Sequence, residues 1–334
     1  MKRSQFVSGL LSAAFAATAI ATGLGAPGAA AQDFRMRLSH PLATSDQSHV
    51  ALSSFAEAMK KRSNGKVDIT VFPADQMGRQ KDVGEMIRQG ANVIQMTDAL
   101  FLGEWVPDAA ILQAPYLLDK PEDFRKILGS DWLEDLNRQL AAKGIHVLSW
   151  NNYFGTRQIL SRKPIRSLAD LAGANFRCAA APMYVQTVAA LGAKPVTTGF
   201  AEVYTGLAQG ALDMLEAPLP TMWASKFYEQ GKFVTLTGHM IAWNPVITSE
   251  AYFKSLPADI QKMMTEESAR AADLMTRLKL EEEADMVVKY EAQGVTVIKD
   301  VDRKAFRDAT AAVYDKYQGW TPGLRGRVQA LLAK

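Results

Sequence analysis

Cysteine is nearly absent from the sequence, which has Cys178 as its single cysteine in 334 residues. One cysteine excludes an internal disulfide and any metal site built from several thiolates. Cys178 lies in an apolar run, so we predict a buried, unreactive thiol. Histidine is also scarce, and none of its four positions has the spacing of a metal site: His40, His49, His146 and His239. We therefore predict neither a metal nor another cofactor.

Catalytic motifs and an excess of one charge are missing as well. The chain has neither a Walker A loop nor a G-x-S-x-G elbow, and its G-x-G-x-x-G run at Gly23–Gly28 lies in an N-terminal leader. The 38 basic residues nearly balance the 35 acidic ones, which argues against nucleic acid as a partner. An exported enzyme acting on carboxylates stays an alternative, although no acid–base or nucleophilic constellation supports it.

Long apolar runs occur only at the amino terminus. Lys2 and Arg3 precede a mostly apolar segment from Phe6 to Ile20, and Ala29–Ala31 offers a small-residue cleavage site. This pattern is typical of a secretory signal peptide, which we predict for residues 1–31. The segment is too short to span a membrane well, and no later segment resembles a transmembrane helix. We expect a soluble periplasmic protein that is not itself embedded in the membrane.

Helical and strand patterns alternate along the rest of the chain. Strands are predicted at Arg35–Ser39, at "KVDITVF" and at "NVIQMTDA", with helices between them. A second series of the same kind runs from "ANFRCAA" through "KPVTT" to "ALDMLEA", again with helices between the strands. This alternation predicts α/β architecture with a largely parallel sheet.

One predicted helix is much longer than the others. Residues 257–292 contain no Gly, and their only Pro stands at the first position, where a helix tolerates it. Such a helix would be about 50 Å long, so we expect it to brace two lobes. We predict lobe I at residues 32–152 plus about 243–282, and lobe II at residues 153–242 plus about 283–334.

Two arginines suggest binding of an anion. Arg177 lies in "GANFRCAAAP" among small and apolar residues, and Arg157 precedes it by 20 residues in "NNYFGTRQIL", after a predicted strand. A guanidinium keeps its charge when buried, and two near strand ends can hold a carboxylate. From the residues alone, the alternative is that each arginine pairs with an internal Asp or Glu.

Several stretches, in order, resemble the solute-binding proteins of TRAP transporters, the tripartite ATP-independent periplasmic family. These are "SFAEAMKKRSNGKVDITVFPADQMG", "GEMIRQGANVIQMTDA", "DAAILQAPYLL", "FGTRQILSRKPIRSLADLAGANFR" and "LGAKPVTTGFAEVYTGLAQGALDMLEAP". The resemblance implies a two-lobe periplasmic binding protein fold of the α/β class, with a ligand cleft between the lobes and a long C-terminal helix bracing both. It also implies capture of an organic acid anion, without any reaction, for a small and a large transporter membrane subunit.

The resemblance also implies a set of ligand-binding residues. Arg177 corresponds to the arginine that anchors the ligand carboxylate, Arg157 to a helper, and Phe200 to a position that lines the ligand. Gln76, Thr97, Asp98 and Asn244 are further polar candidates. The chain departs from the family's Glu-Asn-Pro at Ala217, whose side chain cannot donate the usual second hydrogen bond.

Positions near predicted strand ends complete the candidate set. His40 follows the first strand of an α/β unit, where ligand-binding loops gather. The others are Trp150, Asn152, Trp223 and Trp243, and core packing is the alternative for each tryptophan. The sequence leaves the identity of the acid open, and a binding protein that serves a sensory receptor is an alternative to transport.

Overall fold

The computed structural model describes residues 34–334, so the predicted signal peptide lies outside the described residues. Two sheets contain the strands β1 Phe34–Ser39, β2 Val67–Phe72, β3 Val93–Met96, β4 Ile145–Ser149, β5 Tyr153–Ser161, β6 Asn175–Cys178, β7 Lys194–Thr197, β8 Met214–Pro218, β9 Phe233–Trp243, β10 Val246–Ser249 and β11 Thr296–Ile298. Among residues 34–334, no helix is both long and apolar enough to cross a bilayer.

The α-helices cover the faces of these sheets and connect their strands. They are α1 Gln47–Arg62, α2 Gln80–Arg88, α3 Ala99–Leu102, α4 Asp131–Ala142, α5 Pro182–Ala190, α6 Val203–Ala208, α7 Leu219–Ala224, α8 Glu250–Ser255, α9 Ala258–Ala292, α10 Arg303–Lys316 and α11 Leu324–Leu332. Short 3₁₀ segments occur at Pro107–Gln113, Pro121–Lys126, Leu168–Leu171, Phe200–Glu202 and Phe227–Glu229.

Each sheet forms the centre of one lobe, so the predicted two-lobe α/β fold is confirmed. The first sheet has the strand order β2-β1-β3-β10-β4, and the second has the order β11-β9-β5-β8-β6-β7. Both sheets are mixed, because β10 runs antiparallel to β3 and β4, and β5 runs antiparallel to β8 and β9. Within each sheet all the other strands run in one direction, so the prediction of a largely parallel sheet is confirmed for nine of the eleven strands. The two antiparallel strands, β5 and β10, begin where the chain crosses from one sheet to the other, and the sequence analysis did not predict them.

The chain passes between the two sheets at short connections. Residues 150–152 join β4 to β5, and Asn244 and Pro245 join β9 to β10. Such connections leave few residues to absorb a change in the angle between the lobes. Two of the predicted lobe boundaries, after residue 152 and at about residue 243, lie at or next to these connections, whereas the third, at about residue 282, lies within α9. The division into lobes remains a prediction.

The long helix α9 contacts both lobes, as expected for a brace. It packs on α1 and β4 on the side of the first sheet, and on β5, α7 and β11 on the side of the second. Thr276 of α9 accepts the backbone N–H of Tyr153, at the start of β5, with an N···O distance of 2.9 Å. The C-terminal helices, which the sequence did not reveal, add to this bracing: α10 packs on β9, and α11 packs on the segment Pro121–Lys126.

A buried ion pair ties α9 to both lobes. Lys279 of α9 is fully buried, and its Nζ lies 2.7 Å from Oδ1 of Asp46 and 3.2 Å from Oγ1 of Thr221. Asp46 caps α1 in the first lobe, whereas Thr221 belongs to α7 in the second. Burial would raise the pKa of Asp46, but the charge and hydrogen bond of Lys279 outweigh it and hold this pKa below its ordinary value.

We expect Lys279→Met to lower the free energy of unfolding by about 3–5 kcal/mol, because it leaves Asp46 buried without its cation. Urea unfolding of the ligand-free protein measures this change. Lys262→Met on the same helix is the matched control: its ion pair with Glu266 is exposed and should contribute less than about 1 kcal/mol. Equal losses in the two variants would contradict the role of Lys279.

Candidate functional site

A cavity of about 250 Å³ lies between the two lobes. Its wall takes residues from the carboxyl ends of β2 and β3 in the first lobe and from β6, β7 and β8 in the second. Small-molecule sites occupy roughly 300–1,000 Å³. This cavity lies just below that range, so it suits a small metabolite rather than a polymer. Apolar side chains supply much of the wall: Leu42, Met96, Phe101, Phe154 and Phe200.

Arg177 contributes an unpaired positive charge to this wall. It lies in β6 with 3% of its surface exposed, and its Nη2 donates to the carbonyl oxygen of Thr198, 2.7 Å away. Its Nε is buried and has no hydrogen-bond partner, and no carboxylate oxygen of the described residues lies within ion-pair distance of the guanidinium. Burial lowers the pKa of Arg177, while the charge of Glu216 opposes this shift. The ring of Phe200 supports the guanidinium, with its centroid 5.5 Å from Cζ.

Arg157 also reaches the cavity wall, but its charge is neutralised inside the protein. It lies within β5, the strand that follows β4, and it forms a two-pronged ion pair with Glu216 of β8. The register explains the pair: Arg157 lies opposite Pro218, which makes Glu216 its diagonal neighbour across the two strands. The internal-pairing alternative thus describes Arg157, whereas Arg177 has no such partner among the described residues.

Glu216 is held as a carboxylate by its surroundings. Burial would raise the pKa of Glu216, but the charge of Arg157 and a hydrogen bond from His239 lower it to about 2. The Nε2 atom of His239 lies 3.5 Å from the Oε2 atom of Glu216. Because Arg157 and Glu216 together are neutral, Arg177 carries the uncompensated charge of this group.

Of the three aspartates that line the cavity from the first lobe, Asp98 and Asp75 are at least partly buried, whereas Asp82 is exposed. Asp98 follows β3 with 5% of its surface exposed, and its Oδ1 has no hydrogen-bond partner among the described residues. Burial raises the pKa of Asp98, although the charge of Arg157 and the neighbouring side chains of Asn244 and Tyr184 oppose the shift. Asp75 lies in the turn after β2, where both it and Ala74 have left-handed backbone angles, φ +56° and +52°. Burial also raises the pKa of Asp75, while backbone N–H groups of Ala201 and Phe200 oppose this.

Asn244 and Ala217 complete the part of the wall that the sequence analysis named. The Oδ1 of Asn244 accepts a hydrogen bond from Nε2 of Gln113 at 2.9 Å, which leaves its Nδ2 as the group that can donate into the cavity. Ala217 lies in β8 and presents a methyl group. Its place in the wall fits the expectation that a second donor to a bound anion must come from another residue.

An exposed ion pair closes the mouth of the cavity. Nη2 of Arg79, just before α2 in the first lobe, lies 2.8 Å from Oε1 of Glu202 in the second lobe. Both side chains are more than half exposed, so the pair is worth about 0–1 kcal/mol. A contact this weak can form and break as the lobes move.

Seven of the predicted site residues lie outside the cavity wall. Gln76 is exposed in the turn before α2, and Thr97 is buried. His40 is buried, with Nδ1 accepting from the N–H of Leu42 and Nε2 lying 3.0 Å from Nδ1 of His49. Burial and then the charge of His49 lower the pKa of His40 to about 4, so it is neutral at pH 7. Both its ring nitrogens are therefore used within the protein.

The three tryptophans and Asn152 also pack inside the protein. Trp150 donates from Nε1 to Oδ1 of Asn137, and Asn152 donates to Oγ of Ser149. Trp223 stacks on Tyr228, and Trp243 stacks on Phe124, with ring centroids 4.5 Å and 4.7 Å apart. The packing alternative thus describes all three tryptophans, so we leave these four residues out of the proposed site.

Several wall residues escaped the sequence analysis as candidates. Asp75, Arg79 and Thr198 lie in turns or loops between helices and strands, where polar residues are common and give no signal of their own. Phe154 lies two residues after the candidate Asn152. Unlike Asn152, it belongs to β5 and its side chain lines the cavity. Only the folded arrangement brings these side chains to one cavity.

Comparison with known proteins gives concordant matches over most of the chain. A family model described as bacterial extracellular solute-binding protein, family 7, matches residues 38–319. The 2,3-diketo-L-gulonate-binding periplasmic protein of Escherichia coli is 30% identical over 276 residues, which is 82% of this chain and 84% of that protein.

Solved structures agree with these matches. A TRAP periplasmic solute-binding protein from Ochrobacterium anthropi with bound L-fuconate has a TM-score of 0.87 at 32% identity, covering 90% of this chain and 99% of that one. A TRAP periplasmic solute-binding protein from Actinobacillus succinogenes with bound L-galactonate has a TM-score of 0.86 at 30% identity, with the same coverage.

Proposed function

The chain belongs to family 7 of the bacterial extracellular solute-binding proteins, and from this membership we propose that it captures an organic acid anion in the periplasm for a TRAP-type transporter. The similar proteins named above are described with sugar-derived acids: 2,3-diketo-L-gulonate, L-fuconate and L-galactonate. In this proposal the protein binds its ligand and performs no reaction.

The unpaired guanidinium of Arg177 is the observation that carries this proposal. Nearly all buried polar groups in proteins have hydrogen-bond partners, so the buried Nε of Arg177 needs an explanation. A ligand carboxylate supplies it, because its two oxygens match the fork of a guanidinium. Phe200, Ala217 and Asn244 then surround the anchored group, and Arg157 contributes wall surface rather than free charge.

Closure of the lobes over the ligand strengthens this ion pair. Excluding water lowers the local dielectric constant, and charge attraction then increases. The short connections at residues 150–152 and 244–245 act as the hinge in this proposal, and Arg79 with Glu202 forms a weak latch at the mouth. The change in outer surface lets the small and large membrane subunits distinguish the loaded protein from the empty one.

A thermal-shift assay with L-galactonate and galactitol tests the proposed function. The two compounds share a carbon skeleton, but galactitol lacks the carboxylate. We expect L-galactonate at 100 times its dissociation constant to stabilise the protein by about 2.7 kcal/mol, which raises the melting temperature by several degrees.

Galactitol should leave the melting temperature unchanged within about a degree, because it offers Arg177 no anion. Other acids of similar size, including succinate, should be run in the same plate to rank ligands. Equal shifts with L-galactonate and galactitol, or no shift with any acid, would contradict the proposal.

A further inference from the structure

A buried hydrogen bond joins the two lobes behind the cavity wall. The Oγ1 atom of Thr221, in α7 of the second lobe, donates to the Oδ2 atom of Asp46 at 2.9 Å, and Asp46 caps α1 in the first lobe. Asp46 has 1% of its surface exposed, and Thr221 has none. A second contact between the lobes lies next to it at the surface, where Oγ of Ser45 donates to the carbonyl oxygen of Ala224 at 3.0 Å.

The two partners of this hydrogen bond are held by different hydrophobic cores. Helix α1 packs in the core of the first lobe with the part of α9 that ends at Met275, whereas α7 packs in the core of the second lobe with Tyr290. The hydroxyl of Tyr290 also donates to the carbonyl oxygen of Leu219 at 2.9 Å, which fixes α7 to the second part of α9. A rotation of one lobe against the other therefore changes the distance from Asp46 to Thr221, and the hydrogen bond is lost beyond about 3.5 Å.

The two oxygens of Asp46 have separate tasks. Oδ1 accepts from Nζ of Lys279 at 2.7 Å and from the backbone N–H of Ser48 at 2.8 Å, so it serves the ion pair and the cap of α1. Oδ2 accepts from Thr221 across the gap between the lobes. Breaking the second contact leaves the ion pair and the helix cap in place. The hydrogen bond between the lobes can therefore open while each lobe stays intact.

This hydrogen bond lies close to the surface that a bound ligand contacts. The ring of Phe154 lines the cavity, and its centroid is 5.3 Å from Nζ of Lys279 on the other side. Leu42 and Ala217 also line the cavity, and they precede Asp46 and Thr221, respectively, by four residues each. A ligand that draws these wall residues together from both lobes also brings the hydroxyl of Thr221 to Asp46.

We propose that the hydrogen bond between Asp46 and Thr221 is a closure lock: it forms when the lobes close over the ligand, and it slows release of the ligand without contacting it. The inference rests on the proposed function, because the lobes must close on binding. In the open protein, water solvates Oδ2 of Asp46 and the hydroxyl of Thr221. Closure excludes this water, which strengthens a hydrogen bond to a charged acceptor.

Thr221→Val tests the closure lock, because it keeps the shape of the side chain and removes the hydroxyl. Stopped-flow tryptophan fluorescence with L-galactonate gives the association and dissociation rate constants. We expect dissociation to be at least about tenfold faster, since a hydrogen bond to a charged group is lost from the closed protein. The association rate constant should stay within about twofold, because the lock forms after the ligand has entered. An unchanged dissociation rate constant would overturn the inference.

Thr235→Val is the matched control, because it makes the same change within one lobe. Thr235 is as buried as Thr221, and its Oγ1 donates to the carbonyl oxygen of Ile165 in the second lobe at 2.9 Å. This variant should be less stable to urea, yet both of its rate constants should stay within about twofold of the unaltered protein. Equally fast dissociation in the two variants would mean that Thr221 acts only through general stability, and would reject the closure lock.

Thr221→Ser keeps the hydroxyl and should restore slow dissociation to within about threefold of the unaltered protein. A Thr221→Ser variant that releases L-galactonate as fast as Thr221→Val would count against the hydrogen bond. If Thr221→Val does not fold, Thr221→Ala removes the same hydroxyl with a smaller side chain and carries the same expectation.

The outcomes separate this inference from the proposed function. Binding of L-galactonate that is lost in Arg177→Ala, but released at the unaltered rate by Thr221→Val, would retain the proposed function and reject the closure lock. Failure of every acid in the thermal-shift assay to bind the unaltered protein would reject both.

Discussion

Arg177→Ala is expected to abolish ligand binding while the protein stays folded. Hydrogen bonds to charged groups contribute about 1.5–3 kcal/mol each, and a guanidinium can make two of them to one carboxylate. Their loss corresponds to an affinity at least about 100-fold weaker. The acid that shifts the melting temperature of the unaltered protein should then produce no measurable shift.

Substitution of Arg177 should increase the stability of the ligand-free protein, although it abolishes ligand binding. Its buried guanidinium is desolvated without an ion pair in the described residues, which costs free energy in the empty protein. Arg177→Met keeps much of the side-chain volume and removes the charge. We therefore expect its ligand-free form to melt at a higher temperature than the unaltered protein.

Arg79→Ala is the matched control for both measurements. Arg79 is a cation of the same cavity wall, but it is exposed and paired with Glu202. It should weaken binding less than about tenfold and leave stability nearly unchanged. If Arg177→Ala binds the acid as tightly as Arg79→Ala does, Arg177 is not the anchor.

Glu216→Gln is expected to cause a large loss of stability, of the same size as that expected for Lys279→Met. It leaves the guanidinium of Arg157 buried without its counter-charge, and breaking such a pair costs about 3–5 kcal/mol. Urea unfolding at pH 7 measures the loss. In the double variant Arg157→Met/Glu216→Leu neither member of this pair is left without its partner, so it should lose much less stability than Glu216→Gln. A double variant that is no more stable than Glu216→Gln would contradict this account.

Glu216 also predicts how stability depends on pH. Its pKa falls from an ordinary value of 4.5 in the unfolded chain to about 2 in the folded protein. The folded state therefore binds this proton more weakly, and the resulting stability is present above pH 4.5 and is lost as the pH falls toward 2. Glu216→Gln should flatten the stability curve in this window.

The elements of the fold could be predicted largely from local patterns. The strand at Phe34–Ser39 and the helix at Ala258–Ala292 lie within a residue of their predicted bounds, because alternation and helical spacing are local signals. The long strand β9 was missed. Its pairing with β5 shifts register between Thr235 and Met240, and Gly238 within this stretch has φ +54°, so its pattern does not alternate cleanly.

The site could be predicted only in part, for a physical reason. Arg157 and Arg177 have the same chemistry and similar surroundings in the sequence, and only the strand register places Glu216 beside the first and not the second. The tryptophans give no local signal of whether they face a cleft or a core. Asp98 is only one of several polar candidates in the sequence, and its place in the cavity wall becomes visible only in the folded chain.

A crystal structure of the protein with the acid that gives the largest thermal shift tests the central claim most directly. The account predicts a ligand carboxylate oxygen about 2.7–2.9 Å from a guanidinium nitrogen of Arg177, with Arg157 still paired to Glu216. A ligand carboxylate bound elsewhere, or an Arg177 already neutralised by an acid of the protein, would contradict it.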